Sequence, residues 1–437
     1  MPAILDILGS GWVPLSLLLL VSFYFRWTSD SWIAPPGFVG MYWTANLACS
    51  LLAVDHGVPS LGVWALVSLV FAVQVGAFVA YATVAKIPIV DLLYSFRRLA
   101  ERVRNGCIVL TLIAVAGEIY FIIFSLGLFG KTFDFASLIQ MAAQWTFLRY
   151  DGFIDPWPLR LAAVWIYPPA LLGGILLPLS ETKRDKIIAA TTLFPSLLLT
   201  FLSGGRAAFL VAFACWLGGY WAAQVISSKP PRKLLRIQDL SRIAAACTGL
   251  LLLYVSINTF RGAKDASGVD ELHLDFNSGQ IRNYMFGSPA AFADWFNRGN
   301  DDPLSWGALT FPGLFDALHI QQKTLGTYID SSSTVGQEGT NIFTIFRGLI
   351  QDFGLMGALL ISMAAGFWGS AAYRKQQISA GRLLGLAAFY TVAIFSPLYC
   401  IFGFNGPILA WLTAAIVLRP AMTSGYRPRM HAGDCVV

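Results

Sequence analysis

The sequence predicts an all-α polytopic integral membrane protein of about 11 transmembrane helices. Three observations predict it. The 437 residues are 56% hydrophobic and only 12% charged, with a mean hydropathy of +0.64, where a soluble domain carries about 25% charged residues. Several apolar runs approach the ~20 residues that cross a bilayer core. The basic residues gather in short connections between those runs, which is the positive-inside pattern. That gathering also sets aside nucleic acid as the reason for the net charge of +6.

The expected spans, in order, are 12–25, 37–54, 60–83, 107–129, 161–179, 187–203, 206–226, 243–260, 354–373, 383–402 and 406–418. The first lacks a basic region before it and a small-residue cleavage site after it, so it reads as a retained helix and not a signal peptide. The run 165–174, Trp-Ile-Tyr-Pro-Pro-Ala-Leu-Leu-Gly-Gly, predicts a kink. Basic connections lie at 84–106, 180–186, 227–242 and 373–382 and in the tail, all on one side if the spans alternate. That side is cytoplasmic. The other side carries the long connections 130–160 and 261–353. The chain is thus expected to be a single polytopic domain (1–437), with 261–353 as a large periplasmic segment containing short amphipathic helices at the membrane surface.

The six cysteines, Cys49, Cys107, Cys215, Cys247, Cys400 and Cys435, form no CxxC and mostly lie in or beside apolar runs. They read as small core residues, not as a disulfide framework or a zinc site. No two of His56, His273, His319 and His431 stand at i, i+4, and neither a P-loop nor a DxD pair occurs. No metal and no cofactor are therefore expected.

Arginines are scarce on the outer side, so each is informative. Arg206 follows the Ser203-Gly204-Gly205 turn at a helix start. Arg261 closes the span ending at 260. Arg282 precedes an aromatic stretch, and Arg347 leads into the span at 354. A helix start exposes backbone N–H groups and the positive end of its dipole. With a guanidinium beside it, such a start suits a phosphate. A snorkelling arginine on ordinary lipid headgroups fits the same residue. Candidate bases on that side are His56, His273, His319, Glu338 and Asp352; Asp352 equally suits a helix cap or a partner for Arg347. Glu118, mid-span, is a second-tier candidate for a cavity or a proton path.

Four landmarks, in order, are similar to a known family. They are Ser-Gly-Gly-Arg (203–206), Phe-Arg-Gly (260–262), Tyr-Met-Phe-Gly-Ser-Pro-Ala-Ala-Phe (284–292) and Asn-Ile-Phe-Thr-Ile-Phe-Arg-Gly-Leu-Ile-Gln-Asp-Phe-Gly (341–354). On them the chain resembles the O-antigen polymerases, the oligosaccharide repeat-unit polymerases of bacterial inner membranes. The resemblance implies a multi-pass inner-membrane enzyme working at the periplasmic face. It would transfer a growing glycan from undecaprenyl diphosphate onto a new lipid-linked unit, without a metal ion. The partners implied are the undecaprenyl-diphosphate-linked oligosaccharide, membrane lipid and a chain-length regulator.

Under that resemblance Arg206 and Arg261 neutralise the diphosphate, and Arg282 and Arg347 support them. Asn341 and Thr344 hold sugar or phosphate oxygens, and Tyr284 stacks on a sugar or sits in an interfacial belt, as do Phe286, Trp295 and Trp306. The base is Glu338, Asp352 or His273. The residues leave other readings open. An O-antigen ligase shares the donor and differs in transferring glycan to lipid A core. A lipid-linked oligosaccharide transporter or flippase would work through Glu118, and a scaffold would have no chemistry.

Overall fold

The structure is a computed structural model, and it describes residues 10–29, 31–53, 58–84, 93–150, 153, 155–227, 274–299, 303–321, 328, 342–374 and 379–423. Among the described residues every regular element is helical. We label them α1 (Trp12–Ser29), α2 (Pro35–Ala53), α3 (Ser60–Thr83), α4 (Leu93–Phe129), α5 (Phe135–Tyr150), α6 (Trp157–Val164), α7 (Tyr167–Leu179), α8 (Lys183–Thr191), α9 (Phe194–Ser203), α10 (Ala207–Ser227), α11 (Leu274–Asn297), α12 (Pro312–Ala317), α13 (Ile345–Arg374), α14 (Ala380–Phe395) and α15 (Asn405–Thr423).

Among the described residues six stretches are long and apolar enough to cross a membrane: Ser60–Thr83, Arg97–Phe129, Trp157–Leu179, Lys183–Ser203, Ala207–Ser227 and Ile345–Arg374. Shorter apolar helices cover Ala380–Phe395 and Asn405–Arg419. These lengths and compositions indicate a multi-pass membrane protein. The runs expected at 12–25 and 37–54 form α1 and α2, which are not among the six, and the run 243–260 lies outside the described residues.

Prolines and caps set many of the boundaries. Pro168, Pro195 and Pro312 stand in the first turns of α7, α9 and α12, where a missing N–H is harmless. Pro168 and Pro195 split the expected spans 161–179 and 187–203 into α6–α7 and α8–α9. The Thr182 hydroxyl accepts from the Asp185 N–H, and Ser379 does the same for Arg382. Asp134 caps α5: its carboxylate accepts from the Ser137 N–H at 2.8 Å.

One expectation changes. The basic segment 93–106 is not a loop but the first turns of α4, a helix of 37 residues. Its Arg, Leu, Glu and Ala are good helix formers, so nothing local stops the helix there. The segment 261–353 holds α11, a helix of 24 residues, and the short α12.

Contacts between helices sort the chain into two ends. α3 and α13 run parallel. Tyr81 stacks on Tyr373, and Arg374 Nε donates to the Val84 carbonyl at 2.8 Å. Arg382 Nε donates to the Ala372 carbonyl at 2.7 Å, closing the last turn of α13. The α1–α2 turn joins the same end, where the Tyr390 hydroxyl donates to the Ile33 carbonyl. This end therefore holds Arg26, Arg374 and Arg382. At the opposite end Gly62 of α3 packs against Ala293 of α11, Asn405 of α15 donates to the Gly313 carbonyl, and Arg160 pairs with Asp316.

The helices are held by close approach and a few buried polar bonds. A Cβ at Gly76 would stand 1.8 Å from the Met363 carbonyl, and one at Gly366 would stand 1.9 Å from that of Val73. The α3 and α13 backbones thus touch, as small residues allow inside a bilayer. Gln74, buried, donates to Ser22 and to the Pro36 carbonyl, tying α1, α2 and α3 together. Trp43 donates to Ser396 at 3.0 Å, joining α2 to the end of α14.

Candidate functional site

The candidate site residues fall at two described places, the turn between α9 and α10 and the head of α13 with the 303–311 loop. The first part is the turn between α9 and α10. Gly204 closes α9 with φ +62, a left-handed residue that glycine adopts without a Cβ clash. The Gly205 N–H donates to the Ser203 hydroxyl, and the Phe209 N–H donates to Thr200 across the turn. Arg206 accepts from the Leu210 N–H at 3.2 Å, so it occupies the cap position of α10. This is the helix-start geometry expected for it. α9 packs against α5, and α10 against α7 and α14.

The second part is the head of α13. The Arg347 guanidinium carbon lies 3.9 Å from the Tyr328 ring centre, 4.0 Å from that of Phe343 and 5.1 Å from that of Trp295. Three aromatic faces thus enclose one cation, an arrangement that stabilises it most strongly when water is excluded. Arg347 is 2% exposed. Its Nε donates to Gln351 at 3.1 Å, one helical turn on. Burial pushes the Tyr328 phenol well above its usual range, and Tyr399 adds to that, while Arg347 opposes it. The phenol is therefore a neutral hydroxyl. It makes no hydrogen bond among the described residues, and neither does the fully buried Thr344 hydroxyl.

Asp352 completes the head. Its Oδ1 accepts from the Ser305 hydroxyl at 2.6 Å and from the Leu309 N–H at 3.1 Å; its Oδ2 accepts from the Thr310 N–H at 2.6 Å. The Ser305 N–H donates to the Gln351 carbonyl and the Trp306 N–H to the Asp352 carbonyl. A fully buried carboxylate is thus saturated by one loop, 303–311. These bonds describe a carboxylate that pins a loop more than one that collects a proton. Two residues further on, Gly354 (φ +71) breaks α13 before its membrane-length part.

The other expected site residues distribute as follows. Arg282 and Tyr284 lie on α11, ahead of its buried stretch Ala290–Ala293. Arg261, His273, Glu338 and Asn341 lie outside the described residues, as do His56 and His431. His319 follows α12 with φ +55, its N–H donating to the Asp316 carbonyl. Glu118 is buried in α4 near Tyr167, and one of its oxygens has no hydrogen-bond partner among the described residues.

Sequence reasoning missed the Tyr328, Phe343 and Trp295 enclosure and the 303–311 loop. One signal was present: Arg347 and Gln351 stand four residues apart, which puts them on one face of α13. Among the described residues no three His, Cys, Asp or Glu side chains come together to hold a metal ion. Compared with known proteins, the chain matches no protein-family model, no curated protein and no solved structure.

Proposed function

We propose that the chain is a glycosyltransferase that polymerises lipid-diphosphate-linked oligosaccharide at the periplasmic face of a bacterial inner membrane. The observation that carries this reading is a guanidinium among buried hydroxyls, Arg347 with Thr344 and Tyr328, at the head of a membrane-length helix, while Arg374 and Arg382 cap helix C-termini at its other end. Arg206 adds a guanidinium at a Gly-Gly helix start. An anionic donor anchored by a lipid tail arrives at such a boundary and needs fixed positive charge there.

In this reading the glycan moves from one lipid diphosphate to a sugar hydroxyl of a second lipid-linked unit. The bond from the anomeric carbon to the diphosphate oxygen breaks, and its electron pair leaves with the diphosphate. The bond from that carbon to the acceptor oxygen forms, and the hydroxyl proton passes to a base. Negative charge grows on the leaving group, so cations preset around it stabilise the transition state more than the ground state. Arg206 and Arg261 take that role, with Arg282 and Arg347 supporting, and Asn341, Thr344 and Tyr284 bind sugar or phosphate. Glu338 or His273 is the base, since Asp352 has its oxygens committed to the 303–311 loop.

The test is the glycan ladder of a strain lacking the chromosomal copy. Wild-type protein restores long chains. Arg206→Ala, inserted at equal level, is expected to leave single units attached to core. Long chains with that variant would overturn the phosphate role. A deletion strain that lacks even single attached units would identify a ligase instead, with the same donor and a lipid A core acceptor.

A further inference from the structure

We infer that the loop 303–311 is a membrane-interface anchor, with Trp306 seated at the headgroup–acyl boundary beside the head of α13. The inference starts from backbone geometry. Trp306 has φ +48, a left-handed conformation that is a true outlier for a bulky residue. Such strain persists only where surrounding bonds enforce it. Here they do: the Trp306 N–H donates to the Asp352 carbonyl, and its neighbours Ser305, Leu309 and Thr310 are fixed on the Asp352 carboxylate. The result of all this bonding is an indole that is 73% exposed. A buried carboxylate and a strained backbone hold a large aromatic ring outward.

What that ring faces follows from α13. Gly354 interrupts the helix, and the part from Leu355 to Arg374 continues unbroken. Its 20 residues at 1.5 Å each make about 30 Å, the thickness of the hydrocarbon core. Met356, Leu360, Met363 and Phe367 recur at spacings of four, three and four and are all exposed, so one apolar stripe runs down this part. Trp306 and the exposed Leu304 stand at the top of α13's membrane-length part, with Leu304 lying against Gly354. A tryptophan at the end of a bilayer-length apolar stripe occupies the level where its amphipathic ring is best solvated. The loop thereby fixes the height of the Arg347 head relative to the lipid surface.

The inference rests on the chain crossing a membrane and not on the transferase reading, so either one can fail alone. The full chain in nanodiscs of phosphatidylcholine and phosphatidylglycerol tests it. The chain has 14 tryptophans, so the emission of Trp306 is taken as the difference between wild type and Trp306→Phe. That difference is expected to be blue-shifted, largely removed by lipid brominated near the top of its acyl chains, and resistant to aqueous iodide. Quenching by iodide with no effect of brominated lipid overturns the anchor and makes Trp306 a water-facing platform, as for sugar stacking. Trp306→Gly suits the left-handed backbone and supplies a second difference should the phenylalanine variant fold poorly.

Discussion

The Ser305 hydroxyl donates to Asp352 Oδ1 at 2.6 Å, joining two residues 47 positions apart. The same carboxylate receives the Leu309 and Thr310 N–H groups, so one buried side chain organises a whole turn. Removing it leaves two backbone donors and a hydroxyl without their charged acceptor. Asp352→Ala is expected to destabilise the protein by about 3 kcal/mol, since each buried donor left unpaired costs roughly 1–3 kcal/mol. Asp352→Asn keeps the shape and one acceptor oxygen and is expected to lose less. Thermal unfolding in detergent checks both. Were Asp352 the base, Asp352→Asn would abolish activity at unchanged stability, and that result would sink the pinning role.

A second expectation concerns the crossing of α3 and α13. Gly76 and Gly366 each face the partner backbone at a distance that leaves no room for a methyl group. Gly366→Ala is expected to push the helices apart at a cost of about 1–3 kcal/mol. Gly76→Ala does the same from the other side. Once one methyl has opened the crossing, the second meets little resistance, so the double variant is expected to lose much less than the sum of the two. Additive losses in a double-mutant cycle would mean that the two glycines do not share one contact.

How far the sequence foretold these features differs from place to place. The apolar runs from 60 to 83 and from 206 to 226 carry their own period-free hydrophobicity and emerge as α3 and α10 with nearly the expected bounds. The kink before Tyr167 was legible because proline acts locally; the break before Phe194 was not foreseen, although Pro195 marks it in the same way. The helical turns at 93–106 were hidden, because charge marks sidedness and not helix ends. At the site, the Gly-Gly-Arg start is local and was readable. The sequence offers Asp352, five residues on, as a base, a helix cap or a partner for Arg347, yet i+5 falls off the face that i+4 shares. The hydrogen-bonded neighbour is Gln351. The true ligands of Asp352 lie 42 to 47 residues upstream, and no local pattern reports a contact closed over that length.

Arg347 itself separates two roles that share one charge. Were it only a positive charge for a diphosphate, lysine would serve nearly as well as arginine. The enclosure by Tyr328, Phe343 and Trp295 makes a further demand, because a flat guanidinium offers two faces to rings while its Nε reaches Gln351. An ammonium group cannot do all three, so the two residues are not interchangeable here. Arg347→Lys is therefore expected to cost about 2 kcal/mol of stability, the value of a desolvated cation–π contact. Its loss of chain polymerisation should approach that of Arg347→Met. Hydrogen exchange at 342–347 locates the effect: faster exchange in the lysine variant means that the rings have lost their cation. Wild-type exchange and near-normal long chains with lysine would show that charge alone is what this position supplies.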